Sequence, residues 1–470
     1  MPGSPLIALT VAERARAMFL SRLDAIVYAV MVGLGEAYFL ADAVRLGASA
    51  TQIALLVGLP LAVGATGPVL ALRLLAALGR RKPVVVAAAV GQALMLLLLA
   101  ALTREGSTGP NLLIALATAY QVCAQTAGTA WSSWYGDLVP ADVRGRYFAS
   151  RNRGAYAGTL VGLVAAGLIL SQLEPARAGV AGAGGGAGFA LAYLLAGACR
   201  VVSVGLLAAS REGRFSGLPS RARVGRFLTT QRGTSAWRLV LMVGLLQLPV
   251  QIAAPFFNPF MLEELEFTYV EFMVASASIL LLKVLVLPLW GRSIDRHGAR
   301  RTLLRGAVLL ALVPLPWVIA ERLWFVVLCQ LLSGAAWSGF EVGQFSLLLE
   351  VSYRRMRPTI FAAQAMVNGT AQLAGGLLGS LVIANSADPR SVFALSGVLR
   401  MAVVVMLIWL LPASTRRLRP QLRVVGFRPG GGLDQRPIYV GDDSPDPTEE
   451  LAPDDSFVED EPSERAVGRS

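Results

Sequence analysis

Twelve apolar stretches run through most of this chain of 470 residues. A helix of about twenty apolar residues crosses the hydrocarbon of a bilayer, so each stretch predicts one transmembrane helix. The low content of charged residues supports this prediction, because they make up only 15% of the chain, against about a quarter in soluble proteins. The predicted spans lie near residues 18–42, 51–78, 83–103, 111–138, 146–173, 184–209, 237–262, 269–291, 302–320, 322–349, 358–384 and 391–412.

The loops between the predicted spans alternate in charge. Every second loop is rich in arginine, and positively charged loops stay in the cytoplasm. This pattern predicts that both termini are cytoplasmic and that the number of spans is even. Lys and Arg outnumber Asp and Glu by 42 to 30, but the excess arginines sit beside spans, so they indicate topology and not a nucleic-acid partner.

The longest arginine-rich loop divides the spans into six and six. We predict an N-terminal six-helix bundle over residues 1–210, a cytoplasmic linker loop over 211–235 and a C-terminal six-helix bundle over 236–415. Residues 416–470 are rich in Pro, Asp, Glu and Ser, a composition that predicts a disordered cytoplasmic tail.

The two halves form an internal repeat. Leu46 and Gly79 match Leu265 and Gly298 at one spacing, and a second set of matches follows at a slightly smaller spacing. That second set pairs Asp137, Arg144, Phe148 and Ala149 with Glu350, Arg357, Phe361 and Ala362. Two six-span halves with the same orientation form a parallel repeat, which is an architecture of secondary transporters.

A charged motif follows the eighth span, and it runs Gly291, Arg, Ser, Ile, Asp295, Arg296, His, Gly298, Ala, Arg, Arg301. It resembles the signature loop of the major facilitator superfamily and lies where that family places it, between the second and third spans of a half. The resemblance covers about residues 18–412. It implies an all-α membrane protein of twelve transmembrane helices in two six-helix bundles.

In that family the motif is a latch that holds the cytoplasmic side shut in the outward-facing state. The latch residues that the resemblance implies are Gly291, Asp295, Arg296, Gly298 and Arg301, with Glu350, Arg357, Asp137 and Arg144 at the neighbouring loops. Glycine permits close backbone approach and tight turns, and arginine pairs with carboxylates. The first half departs from the pattern at Leu72 and Ala76, so its latch is degenerate. The alternative is that these charges only set topology.

Two acidic residues lie inside spans that line the central cavity in the family, namely Glu36 in span one and Glu341 in span ten. Placing an ionisable group in hydrocarbon costs at least about 2.5–3.5 kcal/mol, so we expect each of these two carboxylates to have a structural or functional role. A carboxylate shielded from water takes up a proton more readily, which makes both proton-coupling candidates. The alternatives are a satisfied structural carboxylate or a buried pair with Lys283.

Further polar and aromatic side chains are candidates for lining the cavity or contacting the solute. They are Gln121, Gln125, Trp131, Gln247, Gln251, Asn258, Lys283, Trp337, Gln344 and Asn368. Several of the amides are spaced four apart and share a helix face. Amides also join helices in lipid, and aromatic residues near span ends anchor them at the interface, so both interpretations stay open.

These features predict a secondary active transporter of the cell membrane that moves a small solute by alternating access and is coupled to protons. Export of an amphipathic compound is favoured over uptake of a nutrient. The chain has no P-loop, its three cysteines match no metal spacing and His297 is the single histidine, so we expect no ATP use, no cofactor and no metal. We expect a monomer. The remote alternatives are a membrane enzyme and a sensor.

Overall fold

The computed structural model describes residues 10–174, 186–213, 234–351, 357–386 and 388–411. These ranges contain helices and turns but no strands, and twelve long helical segments run through them. The segments are α1 (Val11–Arg45), α2 (Ala50–Leu78), α3 (Lys82–Arg104), α4 (Pro110–Leu138), α5 (Ala141–Leu173), α6 (Ala187–Ala209), α7 (Ser235–Glu264), α8 (Tyr269–His297), α9 (Ala299–Ile319), α10 (Leu323–Val351), α11 (Arg357–Asn385) and α12 (Arg390–Leu410).

The transmembrane architecture predicted from the sequence is confirmed. Eleven described segments are long and apolar enough to cross a membrane. The twelfth is α4, a helix of 29 residues that is more polar because it carries Gln, Thr and Ser side chains. The predicted linker lies mostly outside the described residues and the predicted tail lies entirely outside them. Below, the inner side is the side of the arginine-rich loops.

Local sequence signals explain several helix ends. Thr10, Ser49 and Thr268 each form a capping box with the residue three positions later, at the starts of α1, α2 and α8. Such a box satisfies backbone N–H groups that a helix start leaves unpaired. Gly298 joins α8 to α9 at φ 85° and ψ 160°, a backbone region essentially limited to glycine.

The two halves pack their helices in the same way. In the first half α1 packs on α5 and α6, α3 packs on α4 and α6, and α2 packs on α4. In the second half α7 packs on α11 and α12, α9 packs on α10 and α12, and α8 packs on α10. Each contact of one half therefore has its counterpart in the other, as the internal repeat predicts.

The halves meet through α2 with α11 and through α5 with α8. Small residues bring these helices close together, because a Cβ on Gly58 would lie 2.8 Å from the Cα of Leu373, and one on Gly167 would lie 2.7 Å from the Cβ of Met273. Gly376 likewise lies beside Ala54, near the outer ends of α11 and α2. Close approach of small residues is how helices associate in lipid.

The apolar core shows which side of the molecule is closed. On the outer side one buried cluster contains residues of both halves, including Tyr38 and Phe272, whose rings meet edge to face at 5.8 Å. On the inner side each half has its own separate cluster among the described residues. Among the described residues the two halves therefore share a core on the outer side and have separate cores on the inner side.

Helices α1 and α7 are broken at equivalent places in their outer thirds. In α1 a 3₁₀ turn over Glu36–Tyr38 separates Val11–Leu34 from Phe39–Arg45, and in α7 a 3₁₀ turn over Ala254–Phe256 follows Ser235–Ala253. Gly35, a poor helix former, precedes the first break. Pro255, which has no N–H to donate, lies in the second. At the spacing that relates Leu46 to Leu265, Glu36 corresponds to Pro255.

Candidate functional site

Glu36 lies at the break in α1, where its carboxylate is half-buried. The hydroxyl of Tyr120 on α4 donates a hydrogen bond of 2.9 Å to its Oε2 atom. Within the described residues no cationic side chain contacts this carboxylate. Glu36 is thus an acidic group inside the membrane whose only hydrogen-bond partner in that part of the chain is a neutral hydroxyl.

Glu341 has a different environment, because Lys283 neutralises it. The Nζ atom of Lys283 on α8 lies 2.8 Å from Oε1 and 2.7 Å from Oε2 of Glu341 on α10. Each of these side chains is 13% exposed. The buried pair that the sequence left open as an alternative is therefore present, and the two predicted carboxylates occupy distinct electrostatic sites.

The amides of α4 lie in a helix seam. A Cβ on Gly64 of α2 would lie 2.9 Å from Cγ of Gln121, and one on Gly67 would lie 2.8 Å from Cβ of Gln125. Both amides are buried. This placement favours the alternative in which they join α4 to α2 over direct lining of the cavity.

The amides of α7 and α11 are also buried where these two helices pack. Gln247 and Gln251 of α7 and Asn368 of α11 are buried. Gln251 lies against Gly375, whose Cβ would approach its Cβ to 2.9 Å. Asn368 accepts a hydrogen bond of 2.6 Å from Gln364. Gln251 is therefore part of the contact between α7 and α11, and Asn368 bonds within its own helix.

The remaining cavity candidates divide into buried and accessible ones. Trp131 is buried, stacks on Tyr135 and lies under the guanidinium of Arg151, 4.0 Å from the ring centroid. Asn258, Trp337 and Gln344 are half-buried. Trp337 lies one turn before Glu341 on α10, so it belongs to the same helix face as the ion pair.

The latch residues lie at the inner ends of α8 and α10, on the side where the halves have separate cores. Arg296 and Arg301 are exposed, and Glu350 is half-buried. Among the described residues, a Cβ on Gly291 would meet nothing within 4 Å, so that part of the chain shows no close helix approach at this glycine. The side chains of Asp295, Arg357, Asp137 and Arg144 lie outside the described residues.

A buried charge network lies in the first half, and its particular partners are not evident from the sequence. Arg200 of α6 donates to Ser203 at 2.8 Å and to Gln92 of α3 at 2.5 Å. Ser203 in turn donates to Asp24 of α1 at 2.6 Å. The network joins three helices, so it satisfies a buried cation by bonds that sequence spacing does not reveal.

Arg400 lies about halfway along α12, as Arg200 does along α6, and it donates to backbone carbonyls. Its guanidinium donates to Leu310 O at 3.0 Å and to Val250 O at 3.1 Å. Pro314 has no N–H with which to bond the Leu310 carbonyl four residues earlier. Arg400 therefore replaces a helix hydrogen bond that the proline removes, which explains why an arginine lies inside this span.

A second unpredicted group lies at the outer end of α1. Asp42 is buried, accepts from Arg45 through Nε at 2.8 Å, and accepts from the hydroxyl of Tyr193 on α6 at 2.9 Å. Arg45 also lies over the ring of Phe189. The group fixes the short outer segment of α1 onto α6, beside the contact between the halves.

The fold can be compared with known proteins. Residues 239–438 match the family model described as Major Facilitator Superfamily. The nucleoside transporter NupG is similar in structure with a TM-score of 0.62 and 14% identity, over 85% of this chain and 99% of that one. The inward-open xylose transporter XylE from E. coli is similar with a TM-score of 0.64 and 15% identity, over 85% and 97%.

A third solved structure with this fold is a bacterial homolog of the human lysosomal transporter Spinster, in an inward-facing, occupied conformation. Its TM-score is 0.60 and its identity is 12%, over 86% of this chain and 95% of that one. None of the curated proteins matches this chain in sequence. The family model therefore matches the second half of the chain, and the fold of these solved transporters is shared over both halves.

Proposed function

We propose that this protein is a proton-coupled secondary transporter in which Glu36 carries the proton. The observation that supports this is the half-buried Glu36 carboxylate, which has a hydroxyl partner in Tyr120 and no cationic partner within the described residues. A charged carboxylate sealed from water in this position is costly. Proton uptake removes that cost, so the protonated form is the one that passes through a closed intermediate.

The position of Glu36 links the proton to movement of the halves. It lies in the 3₁₀ turn from which the outer segment of α1 departs, and that segment packs in the cluster that closes the outer side. Tyr120 donates to the ionised carboxylate and accepts from the protonated one, since a phenol does both. In this scheme, opening to either side wets Glu36 and exchanges its proton, whereas closure keeps the proton bound.

The solute that we propose is an amphipathic compound, and the direction is export in exchange for an entering proton. The candidates near the ion pair include the half-buried Trp337, and an indole ring suits an apolar body better than a polyol. Uptake of a metabolite is the alternative direction. Both directions use the same alternating access and the same proton site.

The test compares Glu36→Gln, Glu341→Gln and the exposed control Glu105→Gln in cells and in proteoliposomes. In cells, accumulation of fluorescent amphipaths, including carboxylated ones, is measured with and without an uncoupler. We expect export in wild type and in the control, lost with the uncoupler or in Glu36→Gln. Uncoupler-sensitive uptake that Glu36→Gln abolishes would reverse the direction and keep the proton site.

Exchange of labelled for unlabelled solute across liposomes separates coupling from inactivation. Glutamine resembles the protonated glutamate, so Glu36→Gln should retain exchange while it loses accumulation driven by a pH gradient. Glu36 would be refuted as the proton carrier if accumulation by the wild type did not depend on the pH gradient. Accumulation by Glu36→Gln that still depends on the gradient would refute it as well.

A further inference from the structure

Lys283 has hydrogen-bonding capacity that its partner does not use. An ammonium group has three N–H donors, and both close contacts of Lys283 are with one carboxylate, that of Glu341. Within the described residues no other acceptor lies at hydrogen-bond distance from it. Lys283, near the middle of α8, thus has N–H donors that no described residue uses, and these donors are available to a bound ligand.

The ion pair is not required to hold α8 against α10. The indole N–H of Trp290 on α8 donates to Ala335 O on α10 at 3.0 Å. Gly339 of α10 lies directly against the ring of the same tryptophan. A buried ion pair adds little stability compared with well-packed apolar residues. A purely structural reason for Lys283 and Glu341 is therefore weak.

The pair lies where the two halves face each other. Its side chains keep 13% of their surface exposed, and Tyr156 of α5 in the other half is near enough to interact electrostatically with Glu341. Trp337, one turn before Glu341 on α10, is half-buried and shares its helix face. A solute between the halves therefore meets one cation beside aromatic surface.

We propose that Lys283 binds the carboxylate of the transported solute, with Glu341 as the resident anion that compensates the lysine when no solute is bound. A carboxylate accepts a charge-assisted hydrogen bond from an ammonium group, and the half-buried ring of Trp337 contacts the apolar body of the solute. The proposal rests on the transport function and names its substrate class, an amphipathic monocarboxylate. Glu341 and the solute compete for the same cation.

The test is equilibrium binding to purified full-length protein at one fixed pH, with no gradient. The probes are matched pairs that differ only in charge: benzoate and benzamide, 1-naphthoate and 1-naphthamide, octanoate and octanamide. Binding is measured by the shift of the thermal unfolding midpoint over a range of concentrations. The variants are Glu341→Gln, which frees Lys283, and the double variant Lys283→Met with Glu341→Gln, which is neutral at both positions and so avoids an unpaired buried charge.

We expect at least one carboxylate to stabilise the wild type while its amide does not. Glu341→Gln should bind that carboxylate several-fold more tightly, and the double variant should bind it about tenfold or more weakly than the wild type, which corresponds to one charge-assisted bond. Equal stabilisation by acids and amides, carboxylate preference in the double variant, or no stabilisation by any acid would overturn the proposal.

Failure of this proposal and failure of proton coupling are distinguishable. Binding without a gradient does not depend on which residue carries the proton, and the response of Glu36→Gln to a pH gradient does not depend on the charge of the solute. A Lys283→Arg variant adds a check, because it keeps the positive charge and should keep the preference for acids over amides.

Discussion

Breaking the ion pair one partner at a time should cost far more stability than removing both partners. Each side chain is 13% exposed and the N–O distances are 2.7 and 2.8 Å, so either partner left alone is a mostly buried charge. Removing one partner of such a pair costs about 3–5 kcal/mol. For Lys283→Met the cost has a ceiling, because neutralising a glutamic acid in water at pH 7 costs about 4 kcal/mol. We therefore expect a loss of about 3–4 kcal/mol.

The double variant, Lys283→Met with Glu341→Gln, should lie within about 1 kcal/mol of the wild type, since neutral replacements leave no buried charge. The assay is unfolding in mixed micelles with increasing dodecyl sulfate at pH 7, followed by tryptophan fluorescence.

Additive losses in the double variant would refute this reasoning, because they would mean that the two side chains act independently. The exposed Glu105→Gln variant serves as the control for a change of formal charge alone, and it should leave the unfolding curve unchanged.

Three other changes test separate parts of the fold. In Gly58→Val the new Cβ would lie 2.8 Å from the Cα of Leu373, so the substitution should push α2 away from α11. Spin-label distances between the outer ends of these helices should lengthen, and transport should fall at least several-fold. Gly298→Ala forces alanine into a backbone region limited to glycine and should lower stability by about 1–3 kcal/mol in the same unfolding assay. Arg400→Met leaves the Leu310 carbonyl unpaired and should cost about 1–3 kcal/mol, and adding Pro314→Ala should recover part of that loss by restoring an N–H donor.

The sequence predicted the features that follow from periodicity and from the repeat. Apolar length alone located the spans, because lipid forces every spanning segment to be helical. The repeat predicted that contacts such as α1 with α5 and α7 with α11 correspond. The sequence indicated that Lys283 and Glu341 are both buried charges. Their pairing was one of the alternatives, since opposite charges attract each other strongly in hydrocarbon.

The sequence did not predict interactions that depend on how distant helices face each other. Tyr120 lies far from Glu36 along the chain, and only the packing of α4 beside α1 brings its hydroxyl to the carboxylate. The amides Gln121 and Gln125 share a helix face, as spacing predicted, but spacing does not tell whether that face meets a cavity or the glycines of α2. The buried group around Asp42 was not predicted, because Asp42 is the last residue of the first predicted span and forms its bonds with Arg45 and Tyr193 at the helix end.

The two halves share one packing scheme but differ in what they place at equivalent positions. Both outer breaks loosen a helix next to the contact between the halves. In α7 the break contains Pro255, which weakens the helix permanently because a proline never regains an N–H. In α1 the equivalent position is Glu36, whose environment changes with its charge. A fixed break in one half opposite a charge-dependent break in the other gives the outer closure one element that a proton can alter. Of the two equivalent positions only Glu36 has an ionisable side chain, and this is the physical reason to test it as the coupling residue.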